Sequence, residues 1–174
     1  MLEHKRIIVT GSARGMGLAT LTAFVQAGAR VVGMDINDDA GRQAAADANA
    51  LGPGEACYLH VDIADQDSVV TAFQAAVDWL GGLDVLAHPA AIQAGSMASD
   101  VSVEHWDQMF AVNVRGTMIT NQTAYHHMKA AGGGSIINFG SISGQRAEPS
   151  AVAYSASKGA VHSWTRSAAG AWGM

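Results

Sequence analysis

Apolar residues in this chain fall into two alternating patterns. Short β-branched runs, apolar throughout, alternate with longer segments whose apolar residues recur every three or four positions. The runs Arg6–Thr10, Arg30–Met34, Ala56–His60, Leu83–Ala87 and Ser135–Phe139 read as strands. The segments Met16–Ala27, Asp38–Ala50, Gln66–Leu80, Ser102–Ala131 and Val152–Ala171 read as helices. In Gln66–Leu80 the pattern is carried by Val69, Val70, Phe73, Ala76, Val77 and Leu80. The long helix stops at Gly132-Gly133-Gly134.

Strands separated by single helices imply right-handed crossovers and a parallel sheet covered by helices on both faces. Strands buried on both faces lack polar alternation, and these do. The expected fold is α/β, a doubly wound parallel sheet in three αβα layers. We find no linker and no low-complexity tract, so residues 1–174 are expected to form one domain.

Composition narrows the classes. Hydrophobic residues are 49% and charged residues 14%, the opposite of a disordered chain. The net charge is -5 with no basic stripe, which argues against nucleic acid as a partner. Cys57 is the single cysteine, so no intrachain disulfide forms. The N-terminal residues 1–6 run directly into a strand, unlike a signal peptide. No apolar stretch reaches the ~18 residues of a membrane span. A soluble, cytoplasmic protein is expected. The seven histidines show no His-x-x-x-His or Cys/His cluster, so no metal site is expected.

Thr10-Gly11-Ser12-Ala13-Arg14-Gly15-Met16-Gly17 joins the first strand to the first helix. Glycines there permit a tight turn and close backbone approach to a phosphate. The helix that follows offers unpaired N–H groups and the positive end of its dipole. An ordinary glycine-rich turn has the same composition; the strand-before, helix-after placement favours a Rossmann-like dinucleotide site. Asp35 ends the second strand, where a carboxylate bonds ribose hydroxyls and repels a 2′-phosphate. NAD is therefore favoured over NADP, with Arg14 a cation that leans the other way.

Tyr154 and Lys158 stand four apart on the last helix, on one face. A tyrosine titrates near pH ~10, and a nearby ammonium favours its phenolate, bringing it closer to useful acid–base work. Such pairs are common on helices and say little alone. Ser141 precedes Tyr154 in Gly140-Ser141-Ile142-Ser143, Asn113 opens Asn113-Val114-Arg115-Gly116, and Asp62 follows the third strand. In motif order and spacing, across nearly the whole chain, this set resembles the short-chain dehydrogenase/reductase family.

The resemblance implies roles. Tyr154 would exchange a proton with the substrate oxygen, and Lys158 would assist it and bind the nicotinamide ribose. Ser141 would hydrogen-bond the reacting oxygen, and Asn113 would hold a water linked to Lys158. Gly11, Arg14, Gly15, Met16, Gly17, Asp35 and Ala90 would line the cofactor, with Asp62 and Ile63 at the adenine. The function implied is NAD-dependent interconversion of a secondary alcohol and a ketone by a homo-oligomer, dimer or tetramer. The alternative is a dinucleotide-binding module without turnover. Substrate choice would lie near Gln93, Gln145 and Arg146.

Two departures stand out. Where the family carries Asn-Asn-Ala-Gly, this chain has His88-Pro89-Ala90-Ala91, and His88 is either a satisfied polar residue or part of the cofactor site. The family also continues into a sixth and seventh strand, whereas Trp172-Gly173-Met174 ends this sequence. The resemblance thus implies a C-terminally truncated domain with its fifth strand at an open edge. A partial sequence, a short form that pairs its edge in an oligomer, and an inactive member all remain open.

Overall fold

The computed structural model describes residues 2–173. Five strands and six helices alternate: β1 Arg6–Thr10, α1 Gly15–Gln26, β2 Arg30–Asp35, α2 Asp38–Asn49, β3 Glu55–His60, α3 Gln66–Leu80, β4 Val85–His88, α4 Val103–Phe110, α5 Gly116–Ala130, β5 Ser135–Asn138 and α6 Val152–Trp172. A π-helical turn, Ala111–Arg115, joins α4 to α5, and a 3-10 turn, Ile142–Gly144, follows β5. The periodic segments match these elements to within a few residues. The one expected helix over Ser102–Ala131 is continuous but widened at the π turn.

Among the described residues, 2–90 and 119–137 form one compact unit; residues 91–118 and 138–173 form another. The first carries the sheet, in the order β3-β2-β1-β4-β5. β1 pairs in parallel with β2 and β4, and β2 with β3, so that Ile8 stands opposite both Val32 and Leu86. The order reverses direction at β1, the switch point where doubly wound sheets place their ligands. Ile7, Ile8, Val9, Val31, Val32, Leu86, Leu21, Val25 and Phe73 have no solvent exposure. Burying each such aliphatic or aromatic side chain stabilises the fold by about 1.5–3 kcal/mol before chain entropy is subtracted. β5 lies at the sheet edge, and Ile137 stays exposed there.

Helix starts follow local chemistry. The Asn37 side chain caps α2 by accepting from Ala40 N–H, Asp65 caps α3 by accepting from Asp67 and Ser68 N–H, and Ser102 caps α4 through His105 N–H. α1 differs: Arg14 gives no side-chain cap, and no acidic residue lies in its first turn.

In the second unit Met109, Ala153 and Val161 are buried. Ser96 pairs with Ala151 in an isolated parallel bridge, Ser96 N–H donating to Ser150 O at 2.9 Å. That bridge fixes the entry to α6. The π turn coincides with Asn113, a poor helix former whose carboxamide is drawn to the backbone of the distant Ile92.

Candidate active site and cofactor cradle

In the first unit the glycine turn is built by close approach. Gly11 sits at φ +62°, and a Cβ there would stand 2.8 Å from the Ala90 Cα. A Cβ on Gly17 would overlap the Gly11 carbonyl. Only hydrogen fits at either position. The first turn of α1 thereby stays bare, its N–H groups uncapped. Gly15 takes φ +56°, Met16 is exposed, and the Arg14 side chain is solvent-facing. Ser12 is fully buried, and its Oγ has no partner among the described residues.

Asp35 does more than end its strand. One carboxylate oxygen accepts from Ala13 N–H and the other from Asn37 N–H, both at 3.0 Å. It therefore braces the glycine turn against the β2–α2 loop and keeps lone pairs for a further donor. Tyr58 donates to the Asp35 carbonyl at 2.7 Å. Asp38 accepts from His60 at 2.7 Å, and with Tyr58 this contact holds the Asp38 carboxyl below its ordinary pKa. Asp62 is engaged locally, accepting from Ala64 N–H at 2.9 Å, and the Ile63 side chain is buried. Among the described residues no group of His, Cys, Asp and Glu is arranged to hold a metal.

His88 is 3% exposed, with Nδ1 at 2.8 Å from Thr10 Oγ1 and 3.4 Å from Thr120 Oγ1. Of its two readings, the structure supports a satisfied interior polar residue. Ala90 reaches the cradle by backbone proximity to Gly11. Uncapped donors, a bare approach and a carboxylate at the switch point together suit a dinucleotide with ribose and pyrophosphate groups.

The second unit carries all four expected catalytic side chains. Ser141 and Tyr154 line a cavity of about 430 Å³, with Gln93, Ser143, Glu148 and Ser150 beside them. Gln145 and Arg146 do not line it; Glu148 and Ser150 take that place. Lys158 is 5% exposed, and Nζ donates to the Phe139 carbonyl at 2.8 Å. Its Nζ also lies 5.7 Å from the Tyr154 ring centroid. Burial pushes the Lys158 ammonium below its ordinary pKa, because a charge withdrawn from water costs free energy.

Asn113 is 1% exposed, and its amide protons are committed. Its Oδ1 accepts from Ile92 N–H at 2.9 Å, while Nδ2 donates to Ile92 O at 2.9 Å and Ser157 Oγ at 3.0 Å. Ser157 Oγ in turn donates to the Tyr154 carbonyl at 2.7 Å. The side-chain amide thus anchors the turn of α6 that carries the tyrosine. No amide proton is left for a water; water capture by this side chain falls to the second lone pair of Oδ1.

Three contributors escaped sequence reasoning. Ser143 Oγ lies 2.7 Å from Ser141 Oγ, and Ser143 N–H donates to that same oxygen at 3.3 Å. Ser157 relays Asn113 to Tyr154, and its position one turn after Tyr154 was the available signal. His162 is the third, one turn beyond Lys158.

A family model described as short chain dehydrogenase matches residues 5–173. A sorbitol dehydrogenase of Cereibacter sphaeroides is 40% identical over 168 residues, covering 96% of this chain and 64% of that protein. A cyclopentanol dehydrogenase of Comamonas testosteroni is 36% identical, covering 97% and 67%. A solved NAD+-bound xylitol dehydrogenase superposes with a TM-score of 0.95 at 25% identity, over 99% of this chain and 66% of that one. A short-chain dehydrogenase/reductase structure from Mycobacterium ulcerans gives 0.96 at 30% identity, over 99% and 64%. The chain therefore spans roughly two thirds of the length of these relatives.

Proposed function

Since the chain belongs to the short chain dehydrogenase family of oxidoreductases, we propose that it interconverts a secondary alcohol and a ketone with NAD. The observation that carries this reading is the shared cavity of the Ser141 and Tyr154 hydroxyls, with Lys158 one helical turn behind.

Each side chain has a task that follows from its surroundings. Tyr154 takes the hydroxyl proton during oxidation and returns it during reduction. Lys158 carries a buried positive charge that donates to a neutral acceptor, the Phe139 carbonyl. Its remaining N–H groups suit ribose hydroxyls. Ser141 donates to the substrate oxygen. Ser143 N–H points at Ser141 Oγ and occupies one of its lone pairs. When Ser143 Oγ also donates to Ser141 Oγ, the Ser141 hydroxyl proton is free to meet a developing oxyanion. Asn113, through Ser157, holds the Tyr154 backbone, which keeps the phenol in place.

Gly11, Arg14, Gly15, Met16, Gly17, Asp35, Asp62, Ile63 and Ala90 are the residues we assign to the dinucleotide. When bound, its nicotinamide supplies or accepts the hydride at the carbinol carbon. Asp35 selects NAD, because a 2′-phosphate would face a carboxylate. The polar lining of the cavity and the sorbitol dehydrogenase relative support sugar alcohols as first substrates to try.

A homo-oligomer is also proposed. A groove of about 740 Å³ in the second unit is lined by Phe110, Val114, Met118, Val161 and Trp164. No helix among the described residues is long and apolar enough to cross a membrane.

The test is nicotinamide absorbance with NAD and a panel of sorbitol, xylitol and cyclopentanol, in wild type and Tyr154→Phe. Turnover that vanishes in the variant, with NAD affinity retained, supports the mechanism. A fully active variant refutes it. Tight NAD binding without turnover in the wild type points instead to a binding module.

A further inference from the structure

α6 presents Tyr154, Lys158 and His162 at successive intervals of four residues, which places them in one stripe along the helix. Two of the three reach the same short segment after β5. Lys158 Nζ donates to Phe139 O at 2.8 Å, and Ser141 N–H donates to His162 Nε2 at 3.3 Å. The segment that carries Ser141 is therefore clamped at two points, two residues apart, by side chains one turn apart. Between them lies Gly140, where a Cβ would overlap the His162 ring. The absence of a side chain at 140 is what lets the imidazole lie against the backbone.

We infer that His162 is a positioning residue: its Nε2 accepts the Ser141 amide and so sets the hydroxyl that meets the reacting oxygen. This rests on the assignment of Ser141 under the proposed function. The bond has a consequence for the ring itself. Nε2 is an acceptor, so a neutral imidazole carries its proton on Nδ1. The His162 Nδ1 is buried and has no partner among the described residues. A buried donor without an acceptor is costly, commonly about 1–3 kcal/mol. A ring flip could expose or pair that nitrogen only by surrendering the Ser141 amide. The fold tolerates the orphan on Nδ1 and keeps the Nε2 bond, as expected where the placement of a functional loop opposes local stability.

Leucine at 162 keeps apolar volume but cannot accept the amide. Glutamine places an acceptor oxygen near the position of Nε2. The test uses the full chain as wild type, His162→Leu and His162→Gln. Long-range nitrogen–proton NMR of the wild-type imidazole should show the Nδ1–H form. Amide exchange at Ser141 should be at least about tenfold faster in the leucine variant and near wild type in the glutamine variant. Turnover should fall about tenfold or more in the leucine variant through kcat, with the KM for NAD within about twofold, and glutamine should restore most of it.

An Nε2–H ring in the wild type, unchanged exchange at Ser141 in the leucine variant, or wild-type kcat in that variant would each overturn the inference. A wild type without turnover defeats the proposed function alone, because the tautomer and exchange measurements still decide the role of His162. Should the leucine variant fail to fold, the wild-type tautomer and the glutamine variant decide it.

Discussion

Replacing Asn113 by alanine removes two hydrogen bonds to the backbone of Ile92 and one to Ser157 Oγ, together with a weaker one to Met109 Sδ. Each of the first three contributes about 1 kcal/mol net. The Ile92 groups are half-buried and recover part of their hydration, whereas Ser157 is fully buried and loses its donor outright. The expected loss is about 3–4 kcal/mol, a large part of a typical domain's ~5–15 kcal/mol. For a chain of this size that corresponds to a melting temperature lower by roughly 6–15 °C. Far-UV circular dichroism during thermal and urea unfolding measures it. Asn113→Asp separates the contributions. It keeps the acceptor for Ile92 N–H but loses every donated bond and buries a carboxylate facing an oxygen. It should therefore be no more stable than the alanine variant. An alanine variant melting within about 2 °C of wild type would refute the assignment of Asn113 as the anchor of the α6 turn.

Three further outcomes are expected. Gly11→Ala should weaken NAD binding at least about tenfold and destabilise the chain by roughly 1–3 kcal/mol, since the new Cβ meets Ala90 in left-handed backbone; isothermal titration and unfolding report the two effects. Lys158→Met removes a buried charge that donates to a neutral partner, so turnover should fall at least about a hundredfold while the melting temperature stays or rises; a clearly less stable variant would count against this account. The Arg6 guanidinium donates to both oxygens of Asp84 and holds that carboxyl below its ordinary range. Its folded pKa is depressed, so the contribution is present above the unfolded value near ~3.9 and is lost as pH falls through the folded one. Melting temperatures followed from about pH 6 down to about pH 2 should show an acid limb that flattens in Asp84→Asn.

The alternation of strands and helices was legible because it is local. A run apolar on both faces and a three-to-four repeat are properties of contiguous residues, as are the punctuating glycines. The same holds for Tyr154 and Lys158, whose spacing lies within one helix. Gly11, Gly17 and Asp35 were legible for a related reason: turn geometry and strand-end placement are read over a few tens of residues.

What the sequence did not carry is which distant groups consume one another's hydrogen bonds. Asp35 was expected as a ribose ligand; its bracing of Ala13 and Asn37 appears only once β1 and β2 lie side by side. Asn113 was expected to hold a water; the tertiary structure commits its amide protons to Ile92 and Ser157 and widens the helix there to do so. His162 sits in the same stripe as Tyr154 and Lys158, yet nothing local distinguishes it from a packing residue until the end of β5 is brought to it. Composition and periodicity thus determined the layers, turn spacing pointed to the glycine cradle, and the catalytic candidates came from the family resemblance. Tertiary structure decided which atoms remain free to act, because a buried polar group takes whatever partner the chain crossovers place within about 3 Å of it.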